Sequence, residues 1–158
     1  MKEIQLEPIG RIENGEGGAR IVLGPEYRDG LKGLEGYGHV LVLWWMDRCD
    51  NPRDRGTLVE RKPYRKGPEE LGVFALRSPE RPNPIAVSNA EIAYVDGEAG
   101  TVGLRWIDAF SGSAVLDLKP YTPSVDRIGR PVVPPWCGHW PKSCEESAGF
   151  DWAAEFNF

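Results

Sequence analysis

No stretch of this 158-residue chain approaches the roughly 20 uninterrupted apolar residues that a membrane-spanning helix needs. The longest such run, Val40 to Met46, stops at Asp47. Met1-Lys2-Glu3-Ile4 lacks the apolar core of a signal peptide, so a cytoplasmic location without a membrane partner is expected. Cysteine is scarce: three, an odd count, suits a reducing compartment better than a disulfide framework. Neither G-x-G-x-x-G after a strand nor G-x-x-x-x-G-K-[ST] occurs, which excludes a Rossmann pocket and a P-loop. Helical periodicity never alternates with strand-like runs, so a doubly wound α/β fold is disfavoured. Repeats and low-complexity tracts are absent as well. A net charge of −5 argues against a general nucleic-acid coat.

What is present points to β structure. Hydrophobic content of 41% and charged content of 27% are ordinary for one globular domain spanning 1–158, long enough to bury its own core. Nineteen glycines and fourteen prolines imply short elements and frequent turns. The pattern predicts strands over Ile4–Ile12, Ala19–Leu23, Gly38–Met46, Val73–Leu76, Ile85–Val95, Thr101–Ile107 and Val115–Leu118, with a glycine-broken turn over Glu13–Gly18. Gly38–Met46 is almost continuously apolar and reads as a central strand buried on both faces. Gly30–Tyr37 offers one helical turn, and Asn51–Glu70 is a polar excursion with at most a short strand at Thr57–Val59. Regular structure gives out after Lys119. Short, adjacent strands suggest a mostly β fold: a single antiparallel barrel with long loops.

The loop Arg77–Pro84 (RSPERPNP) is the most informative stretch. Pro79, Pro82 and Pro84 hold Ser78, Arg81 and Asn83 extended, because the residue before proline is pushed out of the helical region. A loop stiffened before any ligand arrives loses little further entropy on binding. It presents Arg77 and Arg81 as fixed cations beside the hydrogen-bonding groups of Ser78 and Asn83, a grip suited to a carboxylate or phosphate. From Arg48 to Arg81 there are nine basic and six acidic residues, the reverse of the balance in the rest of the chain. Arg53, Arg55, Arg61, Lys62, Arg65 and Lys66 concentrate that charge, and Arg61, Lys62 and Arg65 are candidate phosphate contacts. Downstream, Asp117 and Lys119 share one face of a strand while Leu116 and Leu118 are expected to point into the core.

GVFALRSPERPNPIAVS (Gly72–Ser88) resembles the signature of the TsaA-like (TrmO-like) β-barrel methyltransferases, departing at Leu76 and Ala86 among the fixed positions. Val115–Tyr121 with Pro123 and Asp126 is similar to a second element of that family, with Ser111-Gly112-Ser113-Ala114 replacing its D-G-T-P turn. Gly30–His39 resembles a third, so the likeness covers about residues 4–128. The resemblance implies a barrel, usually dimeric, that holds S-adenosylmethionine (SAM) near the subunit interface and methylates N6 of threonylcarbamoyladenosine beside the anticodon of tRNA. It assigns Arg77, the backbone around Val87, and Ile107 and Asp108 to the cofactor site. Asp108 would accept from the ammonium or ribose, and the arginine would meet the carboxylate. Asp117 would position the attacking nitrogen or receive its proton, with Lys119 and Tyr121 as companions. Two alternatives stay open: a small or other acceptor with the same cofactor, and a non-catalytic barrel that binds an adenosyl ligand.

The tail, residues 131–158, lies outside the resemblance. Cys137, His139 and Cys144 offer three ligands where a structural zinc site wants four, and only distant Cys49 could add the fourth, so no metal is expected. Trp136, Trp140, Trp152, Phe156 and Phe158 are expected to pack over the barrel or a partner subunit, since such aromatic surface is sticky when bare. His39, at the start of the apolar strand, reads as a structural histidine.

Overall fold

The computed structural model describes residues 4–158. Six strands close into an antiparallel barrel: β1 (Gly10–Gly15), β2 (Gly18–Leu23), β3 (His39–Trp45), β6 (Ile85–Asp96), β7 (Thr101–Leu104) and β8 (Ala114–Pro120). Their order around the barrel is β1-β2-β7-β6-β3-β8. Between β3 and β6 the chain leaves the barrel and forms a separate two-stranded sheet from β4 (Val59–Arg61) and β5 (Glu70–Gly72).

Alternation builds the core. Ile12, Ile21, Val40, Val42, Val102 and Val115 are fully buried, and β-branched side chains suit that pleated interior. Each such side chain contributes ~1.5–3 kcal/mol on leaving water. β1 and β2 meet through a two-residue turn at Glu16-Gly17, where Gly17 takes φ +92°. Gly10 is needed for a different reason: a Cβ there would run into the Val22 carbonyl and the Leu23 backbone.

Several expectations need correction. The first strand starts at Gly10 rather than Ile4, and residues 4–8 are exposed; Pro8 has no N–H to give a ladder. β3 buries only one face: Val40, Val42 and Trp44 point inward, whereas Leu41, Leu43 and Trp45 are half-buried outside. Val73–Leu76 is no strand; Val73–Ala75 forms a 3-10 turn that buries Val73 and Leu76 and leaves Phe74 exposed. The short strand of the excursion lies at Val59–Arg61 instead of Thr57–Val59, and β7 stops at Leu104. A register shift between Leu43 and Trp44 changes which residues of β8 face inward, so Val115 and Leu118 join the core and Leu116 does not. Gly30–Tyr37 belongs to two 3-10 segments, Pro25–Leu31 and Leu34–Gly36.

Beyond Lys119 the chain retains short turns: Pro123–Asp126, Pro135–Cys137, Cys144–Ser147 and Trp152–Ala154. The tail packs on the excursion. Tyr64 stacks on Trp136 (5.3 Å) and Phe156 (5.7 Å) and meets Trp140 edge-on (4.9 Å). Backbone bonds from Arg65 to Glu155 (2.9 Å) and from Asn157 to Pro63 (3.1 Å) stitch the two segments together.

Candidate functional site

The outer face of β6, β3 and β8 gathers Val87, Asp117 and Lys119, with Tyr121 and Arg77 beside it. Cross-strand register puts Val87, Leu43 and Asp117 in one row, and Asn89, Leu41 and Lys119 in the next. Asp117 Oδ2 accepts from Lys119 Nζ at 2.6 Å, while Oδ1 accepts from the Leu118 N–H at 2.9 Å. That partner raises the Lys119 pKa above its ordinary value, so the ammonium stays charged. One row further on, Tyr121 donates its backbone N–H to His39 (3.0 Å), and the two rings meet edge-on at 6.3 Å. His39 is therefore not the structural histidine of a buried strand; its side chain is exposed beside the candidate residues, because β3 covers only one face.

The proline loop enters this face from one end of the barrel. Arg77 Nη2 donates to the Val87 carbonyl at 2.8 Å, on a stretch of β6 that β7 reaches only at Ile92. The rest of that exposed guanidinium fork is free to meet a ligand. Arg81 does different work: it is half-buried and donates to the carbonyls of Val73 and Leu76, the second at 3.0 Å. Ser78 donates its hydroxyl to Glu60 on β4, which ties the loop to the small sheet. Asn83 is exposed, and its backbone carbonyl accepts from Ile85 at 2.7 Å. The same barrel end receives the β7–β8 connection, since Arg48, just past β3, stacks on Phe110 at 3.4 Å. Within that connection Ile107 is buried in the core and leaves only backbone for a ligand, while Asp108 is exposed.

The basic stretch is mostly self-occupied. Lys62 Nζ donates to the Gly67 carbonyl (3.0 Å) and to Glu69 (2.9 Å); Arg65 Nε donates to the Phe156 carbonyl at 2.8 Å. Arg61 faces Glu70 loosely at 3.6 Å and remains exposed. Lys66 reaches Glu155, a carboxylate only 5% exposed that also lies 2.8 Å from His139 and accepts from Trp140 at 3.2 Å. These partners, His139 foremost, hold the Glu155 pKa down to about 2. Cys137 is buried with its thiol on the Pro134 carbonyl (3.3 Å), and Cys144 is exposed. Among the described residues no three His, Cys, Asp or Glu side chains gather as metal ligands would.

Two surface depressions open elsewhere, about 350 Å³ beside Pro8–Tyr27 and about 300 Å³ beside the β1–β2 turn, and none of the candidates lines either. On the candidate face Val87 is 43% exposed and the Lys119 and Asp117 side chains 58% and 46%, so the row meets solvent in the single chain.

Residues 5–127 match the family described as the tRNA-methyltransferase O N-terminal domain. The chain belongs to this family. Over 112 residues it is 40% identical to an S-adenosyl-L-methionine-binding protein of Archaeoglobus fulgidus, covering 71% of this chain and 75% of that protein. It also resembles a crystal structure of TrmO from Pseudomonas aeruginosa, with a TM-score of 0.63, 26% identity and 83% of this chain covered. The matched part is 62% of that TrmO chain, so about two-fifths of its length has no counterpart here. The TrmO-domain match ends at residue 127 and excludes the aromatic tail. Within the TrmO domain, sequence reasoning missed the outward Leu41 and Leu43 and the Arg48–Phe110 stack. The alternation in Trp106–Phe110, with Ile107 inward and Trp106, Asp108 and Phe110 outward, was the available signal for the last.

Proposed function

We propose that this protein methylates N6 of threonylcarbamoyladenosine beside the anticodon of tRNA, working as a cytoplasmic homodimer. Membership of the TrmO N-terminal domain family carries the coarser statement, a SAM-dependent methyltransferase on a β-barrel. The observation that carries the finer one is the row Val87–Leu43–Asp117, flanked by Arg77.

The donor set fits SAM. Arg77 is braced by one bond to Val87, and its remaining N–H groups suit the amino-acid carboxylate. Exposed Asp108 suits the ammonium or a ribose hydroxyl. When bound, SAM supplies a methyl group on a sulfonium, and alignment with water exclusion then provides most of the rate. Leu41 and Leu43 give the face an apolar floor, which keeps water from the line of transfer once a second subunit covers it. Asp117, held in place by Lys119 and the Leu118 N–H, orients the acceptor nitrogen and takes its proton.

Calorimetry with SAM on the wild type and on Arg77→Ala tests the cofactor half: affinity falls ~10-fold or more in the variant, as loss of a charge-assisted contact requires. Unchanged affinity removes Arg77 from the site. Mass spectrometry of tRNA nucleosides from a deletion strain tests the acceptor half, with loss of one methyl mark expected and an intact profile refuting it. The internal pairing of Lys62, Arg65 and Lys66 favours a second reading with a small-molecule acceptor, because those cations are not free for phosphates.

A further inference from the structure

The tail lies beyond the part of the chain that matches the TrmO domain, yet its last residues are built into the excursion. The Arg65 N–H donates to the Glu155 carbonyl (2.9 Å) and the Asn157 N–H to the Pro63 carbonyl (3.1 Å). Tyr64 and Phe156 thus pair as an antiparallel bridge, so the end of the chain lies along the excursion as a strand would. The Asn157 side-chain amide adds a bond to the Lys62 carbonyl at 3.0 Å.

Lys62 is the one described non-glycine residue with a left-handed backbone, at φ +45°. It also precedes Pro63, a position that favours extended backbone. Such a conformation persists only where its surroundings over-determine it, and strain of this kind gathers at functional sites. Here the Glu69 carbonyl accepts the Lys62 N–H at 2.7 Å, the Gly67 carbonyl and the Glu69 carboxylate hold its Nζ, and the tail holds its carbonyl. Two residues before Lys62, Glu60 on β4 accepts the Ser78 hydroxyl, and Ser78 adjoins Arg77. Tyr64, at the centre of the tail's rings, feels the same carboxylate: burial first and the Glu60 charge second push its phenol pKa up.

We propose that the tail positions the cofactor grip. Glu155–Asn157, docked on Pro63–Arg65, holds the strained turn at Lys62 and through β4 keeps Glu60 where it fixes Ser78 and the orientation of Arg77. Tyr64 and Glu60 are positioning residues, since both act through Arg77. The inference rests on the reading of Arg77 as the contact for the SAM carboxylate. It gives the aromatic tail a part in cofactor affinity that packing alone does not.

The test is calorimetry with SAM on the full chain, with the folding of each variant checked by far-UV circular dichroism. Tyr64→Ala, which empties the centre of the tail cluster, weakens SAM by ~5-fold, the size expected of a coupling carried through packed contacts. Tyr64→Phe keeps the ring stacks and stays within ~2-fold of the wild type. Glu60→Ala weakens SAM by a similar factor to Tyr64→Ala, and the double variant binds no worse than the poorer single, because both changes cut one line of support. Where Tyr64→Ala does not fold, Glu155→Gln, which keeps every ring, decides in the same assay with a loss of ~3-fold expected. If Tyr64→Ala, or Glu155→Gln in its place, binds SAM as the wild type does while Arg77→Ala does not, the coupling is wrong and the grip stands. If the two losses multiply in the double variant, the tail acts by a separate route and the inference is overturned. If Arg77→Ala leaves SAM affinity unchanged, the grip and the inference fall together.

Discussion

Two arginines of the proline loop should respond to truncation in opposite ways. Arg81 spans the loop, with one guanidinium nitrogen shared between the carbonyls of Val73 and Leu76. Hydrogen bonds from a charged donor contribute ~1.5–3 kcal/mol each, and a half-buried position trims the pair to about 2–3 kcal/mol in total. Arg81→Ala removes both bonds, and because Leu76 is buried, its carbonyl is poorly placed to recover a water. With a denaturant slope of about 2 kcal/mol/M for a domain of this size, the urea midpoint should fall by ~1 M. Arg81→Lys should recover no more than half of that, since a compact ammonium lacks the planar fork. Arg77, exposed and bonded only to Val87, should leave the midpoint where it is when cut to alanine. The assay is urea unfolding followed by tryptophan fluorescence. A midpoint for Arg81→Ala within ~0.2 M of wild type would refute the division of labour.

Acid should loosen the tail through Glu155. Its folded pKa of about 2 lies below the ordinary 4.5, so the stabilisation is complete above pH 4.5 and drains away as pH falls toward 2. Fluorescence of the tail tryptophans should show that transition in the wild type and lose it in Glu155→Gln; identical titrations would disprove the role. Gly10→Ala should cost ~1–3 kcal/mol in urea unfolding, because the new methyl meets the Val22 and Leu23 backbone, which cannot rotate away. A stability change below ~0.5 kcal/mol would mean that the β1–β2 ladder yields easily.

The barrel was legible because short β-rich runs with glycine and proline punctuation are a local signal, although β3, expected to be buried on both faces, turns only Val40, Val42 and Trp44 to the core. What failed was non-local. Val73–Leu76 has β-rich composition, yet Arg81, eight residues on, captures the Val73 carbonyl and turns the segment into a 3-10 coil. The charge count over 48–81 is real, but its partners Glu69, Glu155 and the Phe156 carbonyl come from loop contacts and from a tail some ninety residues away. The β8 bulge that swaps Leu116 for Val115 leaves no mark in composition. Arg77 and Asp117 were legible as candidate residues; that they flank one row of an outward sheet face required the register.

The bond between Ser78 and Glu60 makes the small two-stranded sheet a buttress for the proline loop. The barrel carries the molecule's mechanical strength, while the aim of Arg77 depends on an appendage inserted between β3 and β6. Insertions, deletions or altered charges in that appendage can therefore re-point the grip without disturbing a single barrel strand. Selection for a new substrate in such a scaffold has an inexpensive place to start, at the buttress and not at the grip itself.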